Sequence, residues 1–176
     1  STLRGLRDRA LFAFFLATGA REAEVAHARV RDLRQKLDGQ LAFQIRSGKG
    51  RKQRLVPYGD LERYLRYVEI WLREAEISDG PVFRGFYPNG KSIRKTAITE
   101  RQIQNILKLY PLLIDGELIV VRPHDLRRTY ARRLYEANVP IPAIAANMGH
   151  DDIKTTMGYI GTVDVSERLP PDVYAS

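Results

Sequence analysis

Two histidines, an arginine and a tyrosine lie between positions 124 and 159 in an order that could perform chemistry on a phosphate. His124 and Arg127 are three residues apart in a run without glycine or proline, so a helix would place both side chains on one face. A second short helix should end near Gly149, since glycine commonly stops a helix, and His150 follows directly. Tyr159 lies nine residues further on. Two imidazoles, a guanidinium and a phenol suit phosphate binding and attack rather than metal chemistry.

The order and spacing of this set resemble a known active site. H-x-x-R, then G-H, then a tyrosine nine residues after that histidine, resembles the C-terminal active-site box of the tyrosine recombinases, the phage-integrase family of site-specific DNA recombinases. A single histidine near a helix end is more often structural than catalytic, so the whole set matters more than any one member. The family pattern also requires basic residues upstream.

Two upstream runs supply those residues. The run ATGAREAEVAHARVRDL resembles the first box of the family, with Arg21 as its arginine, Glu24 three residues later and Asp32 beyond. The run SGKGRKQRLVP resembles the basic hairpin of the family, with Lys49 between two glycines. The resemblance covers residues 11–159, and the boxes occur in the family's order.

The resemblance implies strand cleavage and rejoining in duplex DNA, through a 3'-phosphotyrosyl intermediate with Tyr159 as the nucleophile and no metal or nucleotide cofactor. Arg21 and Arg127 would hold the non-bridging oxygens of the phosphate, because each guanidinium presents forked donors in fixed directions. His150 would donate a further hydrogen bond to those oxygens.

The other implied roles concern protons and DNA contacts. Lys49 would protonate the leaving 5'-oxygen. His124 would either assist proton removal from the phenol or bind the phosphate, and the sequence leaves both open. Three acidic residues are expected to support the site: Glu24, Asp32 and Asp125. Further contacts to DNA are predicted for basic residues near the hairpin and at helix surfaces: Arg51, Lys52, Arg94, Lys95, Arg101 and Arg128.

Two functions of other kinds also fit parts of the pattern. One is a type IB topoisomerase, which relaxes DNA by the same chemistry without exchanging partners; the G-H before Tyr159 favours a recombinase over it. The other is a non-catalytic basic module that binds DNA, against which the complete set of catalytic residue types argues. A nicked suicide substrate would separate the three.

Composition agrees with an acidic partner. The 29 Lys and Arg residues exceed the 21 Asp and Glu residues and give a net charge of +8, which favours nucleic acid. The chain lacks cysteine, which excludes disulfides and thiol chemistry. It also lacks an apolar run long enough to cross a membrane, so we expect a soluble, cytoplasmic protein, nucleoid-associated when bound to DNA.

The length of 176 residues predicts a single domain, residues 1–176. Typical family members carry a separate N-terminal core-binding domain, so we expect an excised catalytic domain or a minimal recombinase with weak, salt-sensitive DNA binding. The family resemblance implies a tetramer on paired sites in double-stranded DNA. In free solution we expect a monomer, because few apolar residues follow the tyrosine.

The predicted fold class is α+β and mainly helical, with a small antiparallel three-stranded sheet, like the catalytic domain of tyrosine recombinases. A core helix should run from Leu3 to Thr18, and two strands should flank Lys49 as a hairpin. Pro81–Phe83 is the predicted third strand. Further helices are predicted over residues 61–75 and after Thr99, and two short strands around an Asp-Gly turn within residues 112–121. The segment after Tyr159 looks extended.

Overall fold

The computed structural model describes residues 2–46 and 53–161. In these ranges the α-helices are α1 Leu3–Thr18, α2 Glu22–Ala26, α3 Leu65–Glu74, α4 Glu100–Lys108, α5 Pro123–Glu136, α6 Ile141–Met148 and α7 Ile153–Ile160, and two 3-10 helices span Val30–Asp32 and Gly59–Tyr64. The strands are β1 Gln35–Leu37, β2 Gln40–Ile45, β3 Arg54–Pro57, β4 Arg84–Phe86, β5 Ile93–Ala97, β6 Leu112–Ile114 and β7 Glu117–Ile119. The predicted mainly helical α+β fold is confirmed. Lys49, Arg51, Lys52 and residues 162–176 lie outside the described residues.

Helix α1 forms the centre of the core and packs mainly against α3 and α5. Its apolar residues recur at helical spacing, and Ala10, Leu11, Phe14 and Phe15 are fully buried. The helix ends as predicted at Gly19, whose φ of 57° is left-handed. A side chain at Gly19 would overlap the ring of Tyr130 on α5. The end of α1 therefore lies directly against α5.

Strands β1, β2 and β3 form the predicted three-stranded antiparallel sheet, in that order. The β2–β3 pairing matches the predicted hairpin, with Phe43 opposite Val56. The prediction that Pro81–Phe83 supplies the third strand was wrong, because β1 occupies that place. Residues 35–42 form a hairpin through an Asp38-Gly39 turn with both φ angles positive, the geometry that suits a tight two-residue loop.

The segment Pro81–Phe83 crosses the core instead. Val82 and Phe83 are fully buried. The Val82 backbone N–H donates to the Ala28 carbonyl, and the Phe83 carbonyl accepts from Ile98. Trp71 also donates its indole N–H to the Val82 carbonyl at 2.8 Å. These bonds satisfy a buried backbone without placing it in the sheet.

Two other hairpins complete the described fold. Strands β4 and β5 pair with each other, and so do β6 and β7. The second pair confirms the two strands predicted around an Asp-Gly turn, and Asp115 and Gly116 both have positive φ. All six residues of β6 and β7 are exposed.

Helix α4 begins with the predicted capping box of Thr99 and Gln102. No helix in the described ranges is long and apolar enough to span a membrane.

Candidate active site

The C-terminal turn of α6 organises the candidate site. The last carbonyls of a helix have no partner within it and carry partial negative charge. Here three consecutive carbonyls each accept a hydrogen bond from a different arginine. Asn147 accepts from Arg54 at 2.8 Å, Met148 from Arg127 at 3.1 Å and Gly149 from Arg21 at 3.0 Å. Three guanidiniums that are distant in sequence thus converge on one helix end.

Arg127 is the most buried of the three arginines, with 3% of its surface exposed. One Nη donates to the Gly19 carbonyl at the end of α1, and the other donates to Met148 and lies 3.2 Å from His150 Nε2. Burial lowers the pKa of Arg127 from its ordinary value, and the charge of Arg21 lowers it further. The Nε atom of Arg127 is buried and has no hydrogen-bond partner among the described residues.

Arg21 and Glu24 form the start of α2, as the first sequence box predicts. Arg21 is the N-cap residue, and its backbone N–H donates to a Glu24 carboxylate oxygen at 2.8 Å. Its guanidinium donates to the other carboxylate oxygen at 3.2 Å and to the Gly149 carbonyl. Its side chain is 30% exposed, so this guanidinium remains open to solvent.

Arg54 is a site residue that the sequence analysis did not identify. It is the first residue of β3, and its two Nη atoms donate to the two carboxylate oxygens of Glu24 at 2.9 and 3.0 Å. Its Nε donates to the Asn147 carbonyl. In the sequence, Arg54 is one more cation in a basic run, and such a run does not distinguish a partly buried, ion-paired arginine from a solvated one.

Glu24 is charged despite its burial. Burial alone would raise the pKa of this carboxyl, but the hydrogen bonds and charge of Arg54, followed by those of Arg21, hold the pKa below its ordinary value. The carboxylate therefore offsets part of the positive charge of two arginines and orients both.

His150 follows the left-handed Gly149 and is held from two sides. Its Nδ1 lies 2.9 Å from the hydroxyl of Thr156 on α7, and its Nε2 faces an Nη of Arg127. Burial, followed by the charges of Arg127, Arg21 and Arg54, lowers the pKa of His150 to about 4. The ring is thus neutral at physiological pH. Since the arginine can only donate, Nε2 accepts and Nδ1 carries the proton that is donated to Thr156.

Tyr159 lies on α7, which packs against α5 and α6. Its hydroxyl is 3.1 Å from Nδ1 of His124, near the start of α5. Its ring centre is 4.6 Å from that of His124 and 5.0 Å from that of His150. The guanidinium carbon of Arg127 is 5.6 Å from the Tyr159 ring centre. The structure therefore places the phenol, both imidazoles and Arg127 together.

The other predicted supporting residues have different contacts. Asp32 is buried and forms an ion pair with Arg46 at 2.7 Å, which joins it to the end of β2. Asp125 caps α5 by accepting the Arg122 backbone N–H at 2.9 Å. Both contacts shape the elements around the site rather than its centre. Within the described ranges, no three His, Asp or Glu side chains are grouped to hold a metal ion.

The predicted DNA-contact residues are exposed where the structure describes them. Arg94 and Lys95 lie on β5, which the sequence analysis did not assign as a strand, and Arg101 lies at the start of α4. Arg94 also contacts the Tyr87 ring, with its guanidinium carbon 4.7 Å from the ring centre. Arg128 lies on α5 next to the buried Arg127.

With this fold and site, the chain belongs to the phage integrase family: the model of that family matches residues 2–164. A tyrosine recombinase XerC of Xanthomonas axonopodis pv. citri (strain 306) is 35% identical over 156 residues, which cover 88% of this chain and 47% of that protein. A tyrosine recombinase XerD of Listeria innocua serovar 6a is 31% identical over 179 residues, or 99% of this chain and 55% of that protein. The chain thus spans about half the length of these relatives.

A solved structure shares the fold. The XerH site-specific recombinase bound to a palindromic difH substrate, in a post-cleavage complex, superposes with a TM-score of 0.67. The match covers 100% of this chain and 48% of that chain at 18% identity. At that identity the likeness concerns the fold alone.

Proposed function

We propose that this chain is the catalytic part of a site-specific DNA recombinase, which cleaves and rejoins duplex DNA through a 3'-phosphotyrosyl intermediate. The observation that carries the proposal is the position of the Tyr159 hydroxyl, 3.1 Å from His124 Nδ1. The ring of this phenol also borders Arg127 and His150. A nucleophile, a base and an anion-binding group thus lie within one small region.

The cleavage step follows from these groups. A phenol has a pKa of about 10, so it attacks at neutral pH only if a base takes its proton and positive charge favours the phenolate. His124 Nδ1 is within hydrogen-bond distance to accept that proton. The Tyr159 oxygen then bonds to the phosphorus, and the bond from phosphorus to the 5'-oxygen breaks. Religation reverses these events with an incoming 5'-hydroxyl, so no cofactor is required.

The negative charge that develops on the phosphate oxygens needs nearby donors. Arg21 offers a partly exposed guanidinium, and Arg127 contributes a buried positive charge next to the Tyr159 ring. His150 accepts a hydrogen bond from Arg127 in this arrangement. It can donate to a phosphate only after that bond is exchanged and the proton moves to Nε2. We therefore assign His150 a donor role only once the phosphate is bound.

Lys49 is the proposed general acid for the leaving 5'-oxygen, although it lies outside the described residues. The strands on either side of it are anchored near the site. The Arg46–Asp32 ion pair holds the end of β2, and Arg54 holds the start of β3. These anchors fix the two strand ends that flank residues 47–52 in the sequence.

Double-stranded DNA is the proposed partner. The net charge of +8 supports it, and the structurally similar XerH site-specific recombinase is bound to a palindromic difH substrate. We further propose a tetramer on paired DNA sites and a monomer in free solution.

A nicked suicide duplex tests the proposal. Because the target site is unknown, the substrate is a pool of nicked duplexes with randomised flanks. We expect a covalent protein–DNA adduct on a denaturing gel, and transfer of the trapped strand to a 5'-hydroxyl on a second duplex. Tyr159→Phe should abolish the adduct while DNA binding remains, whereas the exposed Tyr87→Phe should behave like the wild type. An adduct with relaxation of a supercoiled plasmid but no transfer would identify a topoisomerase, and no adduct would identify a binding module.

A further inference from the structure

Arg54 lies where three parts of the candidate site meet. It begins β3, it bonds to both carboxylate oxygens of Glu24 on α2, and it bonds to the Asn147 carbonyl of α6. It also follows Lys49 by only five residues. One side chain thus connects the basic hairpin, the first box and the turn before His150.

The hydrogen bonds of Arg54 fix the orientation of its guanidinium relative to Glu24 and to the Asn147 carbonyl. A guanidinium and a carboxylate that share two parallel hydrogen bonds are held in orientation as well as in distance. Only 14% of the Arg54 side chain and 9% of the Glu24 side chain are exposed, so solvent screens this pair weakly. All three guanidinium nitrogens of Arg54 have protein partners, which leaves this residue poorly placed to bind a phosphate directly.

Glu24 is shared between two arginines. Its Oε1 accepts from the guanidiniums of both Arg54 and Arg21, and its Oε2 accepts from Arg54 and from the Arg21 backbone N–H. Without Arg54, the carboxylate could form a two-bond pair with the Arg21 guanidinium and draw it away from the Gly149 carbonyl. With Arg54 in place, the Arg21 guanidinium bonds to Oε1 alone of the carboxylate, and its other Nη bonds to the Gly149 carbonyl.

The turn before His150 also depends on Arg54. Gly149 has a φ of 66°, and a Cβ there would lie 2.8 Å from Arg54 Nη1. The guanidinium therefore lies directly against the backbone that turns out of α6. Its bond to the Asn147 carbonyl fixes that turn relative to α2.

We propose that Arg54 is a positioning residue for the phosphate-binding groups: it holds Glu24 in the orientation that presents Arg21, and it fixes the turn that presents His150. This inference rests on the proposed function. It assigns Arg54 a role in catalysis without contact with DNA.

A chromogenic substrate tests the inference without knowledge of the target site. The probe is a pool of short duplexes with randomised flanks, each with a 4-nitrophenyl ester on a 3'-phosphate, from which attack by Tyr159 releases 4-nitrophenolate. A matched probe replaces one non-bridging oxygen with methyl, which gives a neutral methylphosphonate that needs less positive charge in the site. Thermal unfolding is measured for every variant, and Arg34→Met, at a surface arginine paired with Glu69, is the control.

We expect Arg54→Met to slow release from the phosphate probe at least about tenfold, because a misplacement of about 1 Å can cost on the order of 100-fold. The loss should shrink on the methylphosphonate probe, as it should for Arg21→Met. Arg54→Lys keeps the charge but not the two-bond geometry, so it should be intermediate. Arg34→Met should match the wild type on both probes.

Three results would overturn the inference in different ways. Wild-type release by Arg54→Met would show that the residue is dispensable. An equal loss on both probes, together with a lower unfolding temperature, would show a role in folding alone. If the wild type releases no 4-nitrophenolate, the proposed function itself fails and the inference fails with it.

Discussion

The two sides of the candidate site are held together in different ways. The guanidinium side consists of Arg21, Arg54 and Arg127 with Glu24, and each arginine bonds to a backbone carbonyl of the α6 C-terminal turn. The nucleophile side consists of His124 and Tyr159. His124 is exposed, and a single side-chain hydrogen bond of 3.1 Å joins the two.

This difference corresponds to what each side must do. Groups that stabilise charge in a transition state are most effective when their orientation is fixed before the reaction. In the proposed mechanism, the nucleophile must instead move towards the phosphorus and away again at each cleavage and religation. We infer that the guanidinium side is preorganised, whereas the nucleophile side adjusts when DNA binds.

Arg127→Ala should remove the centre of the guanidinium side. We expect the cleavage rate to fall at least ~100-fold, since loss of one preorganised donor has an effect of that order, with DNA affinity less affected. The measurement is single-turnover adduct formation alongside a binding titration. Arg128→Ala, the exposed neighbour on α5, is the matched control and should only lower the slope of log affinity against log salt, by about 0.9. Equal effects of the two substitutions on cleavage would contradict the contrast.

Lys49→Ala should slow cleavage on the order of 100-fold if Lys49 is the general acid. A substrate with sulfur in place of the 5'-bridging oxygen has a leaving group that needs no proton. It should restore cleavage to the Lys49 variant and leave the Arg127 variant slow. If sulfur rescues neither variant, or both alike, Lys49 is better assigned as a phosphate contact.

Gly19→Ala should disturb the guanidinium side at the end of α1, where the Gly19 carbonyl accepts a hydrogen bond from Arg127. A Cβ there would overlap the Tyr130 ring, and φ is already left-handed. We expect the free energy of unfolding to fall by about 3 kcal/mol, because the substitution adds both backbone strain and overpacking. At Gly39, φ is also positive, but no atom lies within 4 Å of an added Cβ. Gly39→Ala should therefore lower the free energy of unfolding by only about 1 kcal/mol. Chemical denaturation measures both, and equal losses would rule out the proposed contact.

Acid should weaken the guanidinium side through His150. The folded state holds its pKa at about 4, below the ordinary value of 6.5, so the unfolded state binds the proton first as the pH falls. Stability is therefore lost between about pH 6.5 and pH 4, by about 1 kcal/mol at pH 5 because solvent screens the partly exposed ring. Glu24, whose pKa is lowered in the fold, adds a further loss below its ordinary value of 4.5.

Unfolding temperatures of the wild type and of His150→Asn measure this effect. The variant should lose less stability than the wild type between neutral pH and about pH 5, whereas His27→Asn, at an exposed histidine, should follow the wild type. Parallel curves for the wild type and His150→Asn would show that the environment of His150 does not set the acid response.

Much of this organisation could be predicted from the sequence where residue type and spacing carry the information. The core helix that ends at Gly19, the hairpin of β2 and β3, and the α6 stop at Gly149 all follow from local patterns. The Asp38-Gly39 turn was an equally local signal for β1. The assignment of Pro81–Phe83 as a strand failed because a buried apolar segment can be satisfied by scattered backbone bonds as well as by a sheet.

The parts that could not be predicted depend on contacts between distant segments. Arg54 and Glu24 are 30 residues apart, and neither position distinguishes a buried pair from two surface charges. The acceptors at the end of α6 are backbone carbonyls, which every residue has, so no residue type reveals them. Thr156 likewise becomes relevant only once α7 places its hydroxyl beside His150.

The most direct test of the account is to identify the protein atom that is bonded to DNA in the trapped adduct. Proteolysis of the adduct and mass spectrometry would locate the modified residue, and nuclease digestion would establish which end of the strand is attached. We predict a single linkage from the Tyr159 oxygen to a 3'-phosphate. A linkage through any other residue, or to a 5'-phosphate, would contradict the assignment of Tyr159 as the nucleophile.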